Sequence, residues 1–208
     1  MNNEVVIVSG CSRCGSSLMM RMLEAGGIET HDEGNKVSYE CHEAQEALIN
    51  GRADFVGSLA GKAVKMLDPH RVSFPPVPIA WVWMSRNATE QAKSQIKLVG
   101  MMFSALCPNP DRLALSLARD NLRVPIDLSR VPGSRLMVVD FERLVGAPGA
   151  VIPELVGFLN RPMDQAKMLA CVIDRPPECA PGLEIELART NEVEAARAAA
   201  IMATEDKA

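Results

Sequence analysis

The stretch VVIVSGCSRCGSSLMM, residues 5–20, decides the fold of this 208-residue chain. Residues 5–8 form an apolar run rich in β-branched side chains, which is typical of a strand buried on both faces of a parallel sheet. Gly10 and Gly15 then bound a short turn with the spacing Gly-x-x-x-x-Gly-x-Ser, and a helical pattern of apolar residues begins at Ser16. This arrangement is the frame of a loop that cradles a phosphate group at the N-terminus of a helix.

The residues of this loop favour an anion that needs no metal ion. Unpaired N–H groups in the first turn of the helix and the helix dipole attract negative charge. In loops that bind ATP and magnesium, a lysine follows the second glycine and contacts the β- and γ-phosphates, whereas here that position is Ser16. ATP chemistry is therefore less favoured than binding of another phosphorylated ligand. The predicted anion ligands are Arg13, Cys14, Gly15, Ser16 and Ser17.

A second strand with polar residues at its end occupies residues 79–95, IAWVWMSRNATEQAKSQ. Arg86 follows the strand directly, and Ser94 lies about two helical turns further on, so both side chains can face one pocket. Arginine supplies a forked and permanent positive charge that suits phosphate. We therefore expect Arg86 and Ser94 to form a second phosphate site.

Together these segments resemble the sulfotransferases that use 3′-phosphoadenosine 5′-phosphosulfate (PAPS). Residues 12–18 look like the family's 5′-phosphosulfate loop, and Arg86 with Ser94 is similar to its 3′-phosphate motif. Residues 135–145, RLMVVDFERLV, resemble its late strand and the segment that follows it. Residues 35–40, NKVSYE, resemble an Asn-Pro-Lys-Gly-aromatic-aromatic-Glu segment of small bacterial members. The resemblance spans residues 4–175.

The resemblance implies transfer of a sulfuryl group from PAPS, without a metal ion, to a hydroxyl or amine of an unidentified acceptor. Arg13 would hold the 5′-phosphate and stabilise charge on the leaving oxygen. Lys62 or Lys65 would contact the sulfate. A general base would take the acceptor proton, and Glu40 is preferred because it closes the family segment. The candidates for this base are Glu40, His42, Glu33 and His31.

Alternating strands and helices predict an α/β fold with three layers, α/β/α, around a central parallel sheet, which is the P-loop NTP hydrolase-like architecture of sulfotransferases. We expect residues 1–182 to form a single sulfotransferase-like domain and residues 183–208 a C-terminal helical tail. Residues 28–39 read as an irregular loop at the active site. The predicted strands are 4–9, 62–66, 79–84 and 135–139. The predicted helices are 15–26, 40–50, 88–101, 111–121, 141–146, 150–159 and 163–172, and residues 53–60 have a weak helical pattern.

Composition narrows the classes of function. The net charge of −4 does not favour nucleic-acid binding. No apolar run reaches the ~20 residues of a membrane span, and no signal peptide is visible. The six cysteines do not form a disulfide framework, which indicates reduced thiols and a cytoplasmic protein. The expected partners are the nucleotide co-substrate and the acceptor, with a homo-oligomer possible.

Three alternatives stay open. An apolar strand that ends in Asp140 matches the magnesium site of a P-loop nucleotide or small-molecule kinase that uses ATP and magnesium, although Asp140 also suits a strand-end cap. Cys11 and Cys14 have the spacing of a redox pair, or of half a zinc site completed by Cys41 and His42. The domain also suits a nucleotide-binding scaffold without catalysis, acting through its Ala-rich tail.

Overall fold

The computed structural model describes residues 4–34, 36–69, 77–103, 108–173 and 178. Within these residues, five parallel strands form one sheet in the order β2-β3-β1-β4-β5. The strands are β1 (Val5–Gly10), β2 (Thr30–His31), β3 (Ala63–Leu67), β4 (Ile79–Ser85) and β5 (Ser134–Asp140). The helices are α1 (Ser16–Ala25), α2 (His42–Ile49), α3 (Ala53–Ser58), α4 (Ala88–Phe103), α5 (Pro110–Ser129), α6 (Phe141–Gly146), α7 (Pro148–Leu159) and α8 (Gln165–Ala170).

The sheet is covered on both faces by helices, so the predicted three-layer α/β/α fold is confirmed. Successive side chains of a strand point to opposite faces. Val6 and Val8 of β1 accordingly pack in one core with α1, α6, α7 and α8. Val5 and Ile7 pack in a second core with α2, α3, α4 and α5. Because β1 and β4 are buried on both faces, their apolar runs lack the alternation of a half-exposed strand.

Four of the five strands match the predicted segments to within one residue at each end. The strand β2 was not predicted, because its two residues are too short for a periodic pattern and lie inside the predicted loop 28–39. Helix α5 runs eight residues beyond its predicted end at 121. Pro125 lies inside it and removes a single N–H donor, while buried Val124 and Leu128 keep the last turns packed on the core.

The predicted tail, residues 183–208, lies outside the described residues, as does Asn35. Among the residues that the structure describes, no helix is both long and apolar enough to cross a lipid bilayer.

The topology places a crevice between β1 and β4. The chain leaves β1 towards β2 and β3 on one side, and it leaves β4 towards β5 on the other. Neighbouring parallel strands whose connections diverge in this way leave a binding crevice outside their carboxyl ends. The two predicted phosphate segments follow the ends of these two strands.

Gly15 lies at the junction between the loop and α1, where the backbone conformation and the nearby Phe141 ring favour glycine. It is the N-cap of α1 and has a φ of 97°, a conformation that side chains disfavour. A Cβ atom at this position would lie 2.4 Å from the ring of Phe141. The first residue of α6 therefore packs directly against the loop backbone.

We expect Gly15→Ala to lower the free energy of unfolding by at least about 2 kcal/mol, because it combines backbone strain with a clash against Phe141. Urea unfolding measures the change. Gly157→Ala is the matched control, since Gly157 lies in α7 and a Cβ there meets nothing within 4 Å. The control should be neutral or more stable by up to about 1 kcal/mol. Equal stability of the two variants would contradict the packing at Gly15.

Candidate functional site

A cavity of about 150 Å³ lies at the carboxyl ends of the central strands. The loop that follows β1, the first turns of α1, the end of β3 and the start of α6 all contribute to its wall. Among the described residues, four positively charged side chains line the cavity together with one carboxylate, that of Glu40. The cationic lining residues are Arg13, Arg21, Lys65 and Arg86.

The loop between β1 and α1 has the backbone of an anion-binding turn. Arg13 and Gly15 have positive φ angles of 69° and 97°, and left-handed residues in a turn of this kind direct backbone N–H groups into a concave anion site. Within the described residues, no side chain caps the N-terminus of α1. The N–H groups and the dipole at such a helix start attract a bound anion, and the Ser16 N–H also interacts with the Cys14 sulfur.

Direct hydrogen bonds join the two predicted phosphate sites. Arg13 Nε donates to Ser94 Oγ at 2.9 Å, although the two residues are 81 positions apart. Arg86 Nη1 donates to the Arg13 carbonyl oxygen at 3.1 Å. The Arg86 guanidinium also lies 4.7 Å from the ring centroid of Phe141, in a cation–π contact. The structure thus brings Arg13, Arg86 and Ser94 together across the crevice between β1 and β4.

Two of the predicted ligands do not present their side chains to the cavity. Ser94 is fully buried, accepts the hydrogen bond from Arg13 and does not line the cavity. The Cys14 side chain is fully buried beneath the loop, next to Gly10. Burial of this side chain leaves the backbone N–H as the group of Cys14 that suits the predicted anion site.

Lys65 is the cation that reaches the loop from the neighbouring strand β3. Its side chain is almost fully buried, and its ammonium group donates to the Ser38 carbonyl oxygen at 2.7 Å and to Ser17 Oγ at 3.2 Å. Glu40 Oε1 lies 3.6 Å from the same nitrogen. Lys62 is at the other end of β3 and pairs with Glu29 at 2.5 Å, so the expectation that it could contact sulfate is wrong.

Glu40 lines this cavity, and it also lines an adjoining cavity of about 840 Å³. Glu33 instead accepts a hydrogen bond from the Glu43 N–H at 2.8 Å, which lowers the pKa of the Glu33 carboxyl. His42 is exposed at the first turn of α2, and His31 stacks edge-on against Phe55 at 5.9 Å. Of the four candidate bases, Glu40 alone lines the two cavities.

A cluster of polar side chains anchors the segment that carries Ser38 and Glu40. Lys36 Nζ donates to Glu24 Oε1 at 2.6 Å and to Asp32 Oδ2 at 2.7 Å. Tyr39 donates its hydroxyl to Glu24 Oε2 at 2.7 Å. Partial burial opposes ionisation of Glu24, but the hydrogen bonds from Lys36 and Tyr39 outweigh it and lower the pKa of the Glu24 carboxyl. These contacts fix Lys36 and Tyr39, and the neighbouring Ser38 lies against Lys65.

Asp140 acts as a helix cap. Its Oδ1 accepts the Arg143 N–H at 2.7 Å at the start of α6. The residue is exposed at the end of β5, an edge strand that β4 separates from β1 and the anion loop. This geometry matches the strand-end cap rather than the magnesium site of a kinase.

The cysteines of the loop do not face each other. Cys11 packs in the core with α2 to α5, and Cys14 packs in the core on the opposite face. Burial, with a smaller contribution from the Asp68 carboxylate, raises the pKa of Cys11 to about 12, and burial also raises the pKa of Cys14. Within the described part of the chain, no group of three or more histidine, cysteine or acidic residues is arranged to hold a metal ion.

Gln91 lies against the loop after β1, a position that was not predicted from the sequence. This fully buried residue of α4 donates through Nε2 to the carbonyl oxygens of Cys11 and Ser12, both at 2.9 Å. Gln95 Nε2 donates to the Ser12 carbonyl oxygen at 2.7 Å. The sequence contains one indication of this contact, since Gln91, Ser94 and Gln95 lie on one face of the predicted helix.

Alkylation of the native protein tests the state of the thiols. At pH 8, a thiol with a pKa of about 12 is ionised in only about one molecule in ten thousand. We therefore expect iodoacetamide to leave Cys11 and Cys14 unmodified in the native protein and to modify both after unfolding, as read by peptide mass spectrometry. Rapid modification of either cysteine in the native protein would support the redox alternative.

No protein-family model matches the sequence, and a search of curated proteins also finds no match. Among solved structures, the sulfotransferase domain from the curacin biosynthetic pathway has a TM-score of 0.50 and 16% sequence identity, over 88% of this chain and 82% of that chain. The sulfotransferase domain from the Synechococcus PCC 7002 olefin synthase has a TM-score of 0.49 and 17% identity, over 91% and 94%. Retinol dehydratase, in complex with androsterone and the inactive cofactor PAP, has a TM-score of 0.49 and 12% identity over 81% of this chain, which spans 63% of that protein. At this level of identity the likeness concerns the fold, and the chain has the fold of a sulfotransferase domain.

Proposed function

We propose that this protein is a PAPS-dependent sulfotransferase that moves the sulfuryl group to a hydroxyl or amine. The observation that carries the proposal is the convergence of three cations from three elements on one cavity. Arg13 comes from the loop after β1, Lys65 from β3, and Arg86 from the end of β4. A ligand with two separated phosphate groups and a sulfate fits this distribution of charge better than a single small anion does.

In the proposed complex, the N–H groups of residues 14–17 and the hydroxyls of Ser16 and Ser17 hold the 5′-phosphate. Arg13 leaves Ser94 and contacts the same phosphate, where it stabilises the negative charge that develops on the leaving oxygen. Its departure would also open Ser94 to the 3′-phosphate, beside Arg86. The existing hydrogen bond between Arg13 and Ser94 thus keeps both groups at the site before the ligand arrives.

The proposed reaction breaks the bond between sulfur and the bridging oxygen of PAPS and forms a bond between sulfur and the acceptor. The bridging oxygen keeps the electron pair and leaves as part of adenosine 3′,5′-bisphosphate (PAP). Lys65 would face the sulfuryl oxygens, and Glu40 would accept the acceptor proton. Glu40 suits this role because it lines both the cavity of about 150 Å³, where PAPS would bind, and the larger cavity of about 840 Å³. Charge stabilisation and positioning then supply the catalysis.

The kinase alternative is less consistent with the site. Ser16 replaces the lysine that contacts the β- and γ-phosphates in P-loop kinases. The carboxylate of Asp140 already caps α6. Neither observation conflicts with a bisphosphate ligand.

Thermal unfolding with PAP, compared with ATP and magnesium, tests the nucleotide. A ligand that binds only the folded state stabilises it by about 2.7 kcal/mol at a hundredfold excess over its Kd. We expect PAP to raise the Tm of the wild-type protein without magnesium, and Arg86→Met to abolish most of this rise, because a neutral side chain of similar length cannot pair with the 3′-phosphate. Stabilisation by ATP with magnesium alone would favour the kinase instead.

Glu40→Gln tests the proposed base once a screen of alcohols and amines with radiolabelled PAPS has identified an acceptor. Loss of a general base lowers kcat by about 10² to 10⁴, whereas the stabilisation by PAP should persist because the amide keeps the size of the side chain. His42→Gln is the control, since His42 lines neither cavity. If His42→Gln lost the activity and Glu40→Gln kept it, the proton acceptor would be assigned wrongly.

A further inference from the structure

An anion loop needs its carbonyl groups held away from the ligand, and here three consecutive carbonyl groups are held by side chains. Gln91 Nε2 donates to the carbonyl oxygens of Cys11 and Ser12, and Gln95 Nε2 donates to that of Ser12. The third carbonyl oxygen, that of Arg13, accepts a hydrogen bond from Arg86. All three donors belong to α4 or to the turn that leads into it from β4.

The amide of Gln91 is itself held in one orientation. Asn121 Nδ2, on α5, donates to Gln91 Oε1 at 3.3 Å and lies at the same distance from the Arg86 carbonyl oxygen. Because Gln91 Oε1 accepts from Asn121, its Nε2 points to the loop. Gln91 is fully buried and does not line the anion cavity. Its contact with a bound anion is therefore indirect.

We propose that Gln91 and Gln95 are positioning residues that fix the carbonyl groups of residues 11 and 12, so that the N–H groups of the loop face the anion before it binds. A loop that is already ordered loses less conformational entropy on binding, and oriented donors need no rearrangement when charge develops. The inference deepens the proposed function, on which it rests for the identity of the anion.

The geometry predicts that loss of Gln91 weakens the binding of ligands that carry a 5′-phosphate in particular. Gln91→Met keeps a similar side-chain volume but leaves the Cys11 carbonyl without its donor and the Ser12 carbonyl with Gln95 as its remaining donor. A buried carbonyl without a partner drives the loop to rearrange. We expect adenosine 5′-phosphate and PAP to bind at least about tenfold more weakly, which corresponds to about 1.4 kcal/mol. Gln95→Met removes one donor from a partly exposed site, where water can replace it, so its effect should be smaller.

Isothermal titration of the wild-type protein and its variants with adenosine 5′-phosphate, adenosine 3′-phosphate and PAP tests the proposal. If the glutamines position the loop, the variants should bind the two ligands that carry a 5′-phosphate more weakly. The Kd of adenosine 3′-phosphate should change by less than about twofold, compared with about tenfold for the other two ligands. A general structural role would weaken all three ligands together and would overturn the proposal, as would unchanged binding of all three. Gln165→Met makes the same chemical change at an exposed position on α8 and should bind like the wild type.

Two further results keep the inference separate from the proposed function. If Gln91→Met does not fold, the same selective loss must appear in Gln95→Met, or the proposal fails. If the wild-type protein binds none of the adenosine phosphates, the proposed function fails, and titration with inorganic phosphate and sulfate then tests the loop alone. Weaker binding of those ions by the glutamine variants would support the positioning role, and absence of any anion binding by the wild type would overturn it.

Discussion

The site depends on how closely the loop after β1 approaches the carboxyl end of β4. A Cβ atom at Gly10 would lie 2.6 Å from the Met84 carbonyl oxygen and 2.5 Å from Cys14 Sγ, so any larger residue would push the loop away from β4. Because the loop lies this close, the Arg13 carbonyl reaches the Arg86 guanidinium, and Gln91 reaches the carbonyl groups before it. One backbone contact therefore brings both predicted phosphate sites into a single crevice.

Folding, rather than ligand binding, removes the Lys65 ammonium group of the cavity from water. Removing an ammonium group from water costs several kcal/mol unless hydrogen bonds and an opposite charge compensate. Lys65 is only 5% exposed, and Ser38, Ser17 and Glu40 provide that compensation. Because folding has already removed most of the water from this group, an incoming anion meets a charge that needs little further desolvation. Charged groups that are fixed and shielded from water in this way can stabilise the charge that develops in a transition state.

Acidic residues near the site illustrate why residue type alone does not assign a role. Glu33, Glu40 and Asp140 all lie beside predicted functional segments. As carboxylates, all three have the chemistry for proton transfer or metal binding. In the structure, Glu33 and Asp140 accept N–H groups at the starts of α2 and α6, whereas Glu40 lines the cavities. Carboxylates at helix N-termini satisfy unpaired donors and the dipole. Capping and catalysis draw on the same side chains, and only their surroundings separate the two.

The sequence by itself determined the order of strands and helices, the parallel sheet and the position of the anion loop, because hydrophobic periodicity and glycine spacing are local properties. It also selected Arg13 and Arg86, since each follows a strand whose carboxyl end must face the crevice. Only the tertiary structure distinguished Lys62 from Lys65, because Lys62 precedes β3 and pairs with Glu29, whereas Lys65 lies in the middle of β3 and lines the cavity. It alone brought Ser94 to Arg13 and Gln91 to the loop carbonyl groups, across about 80 residues of chain. These contacts depend on the register of neighbouring strands and on the packing of α4 over the crevice, which no local pattern in the sequence encodes.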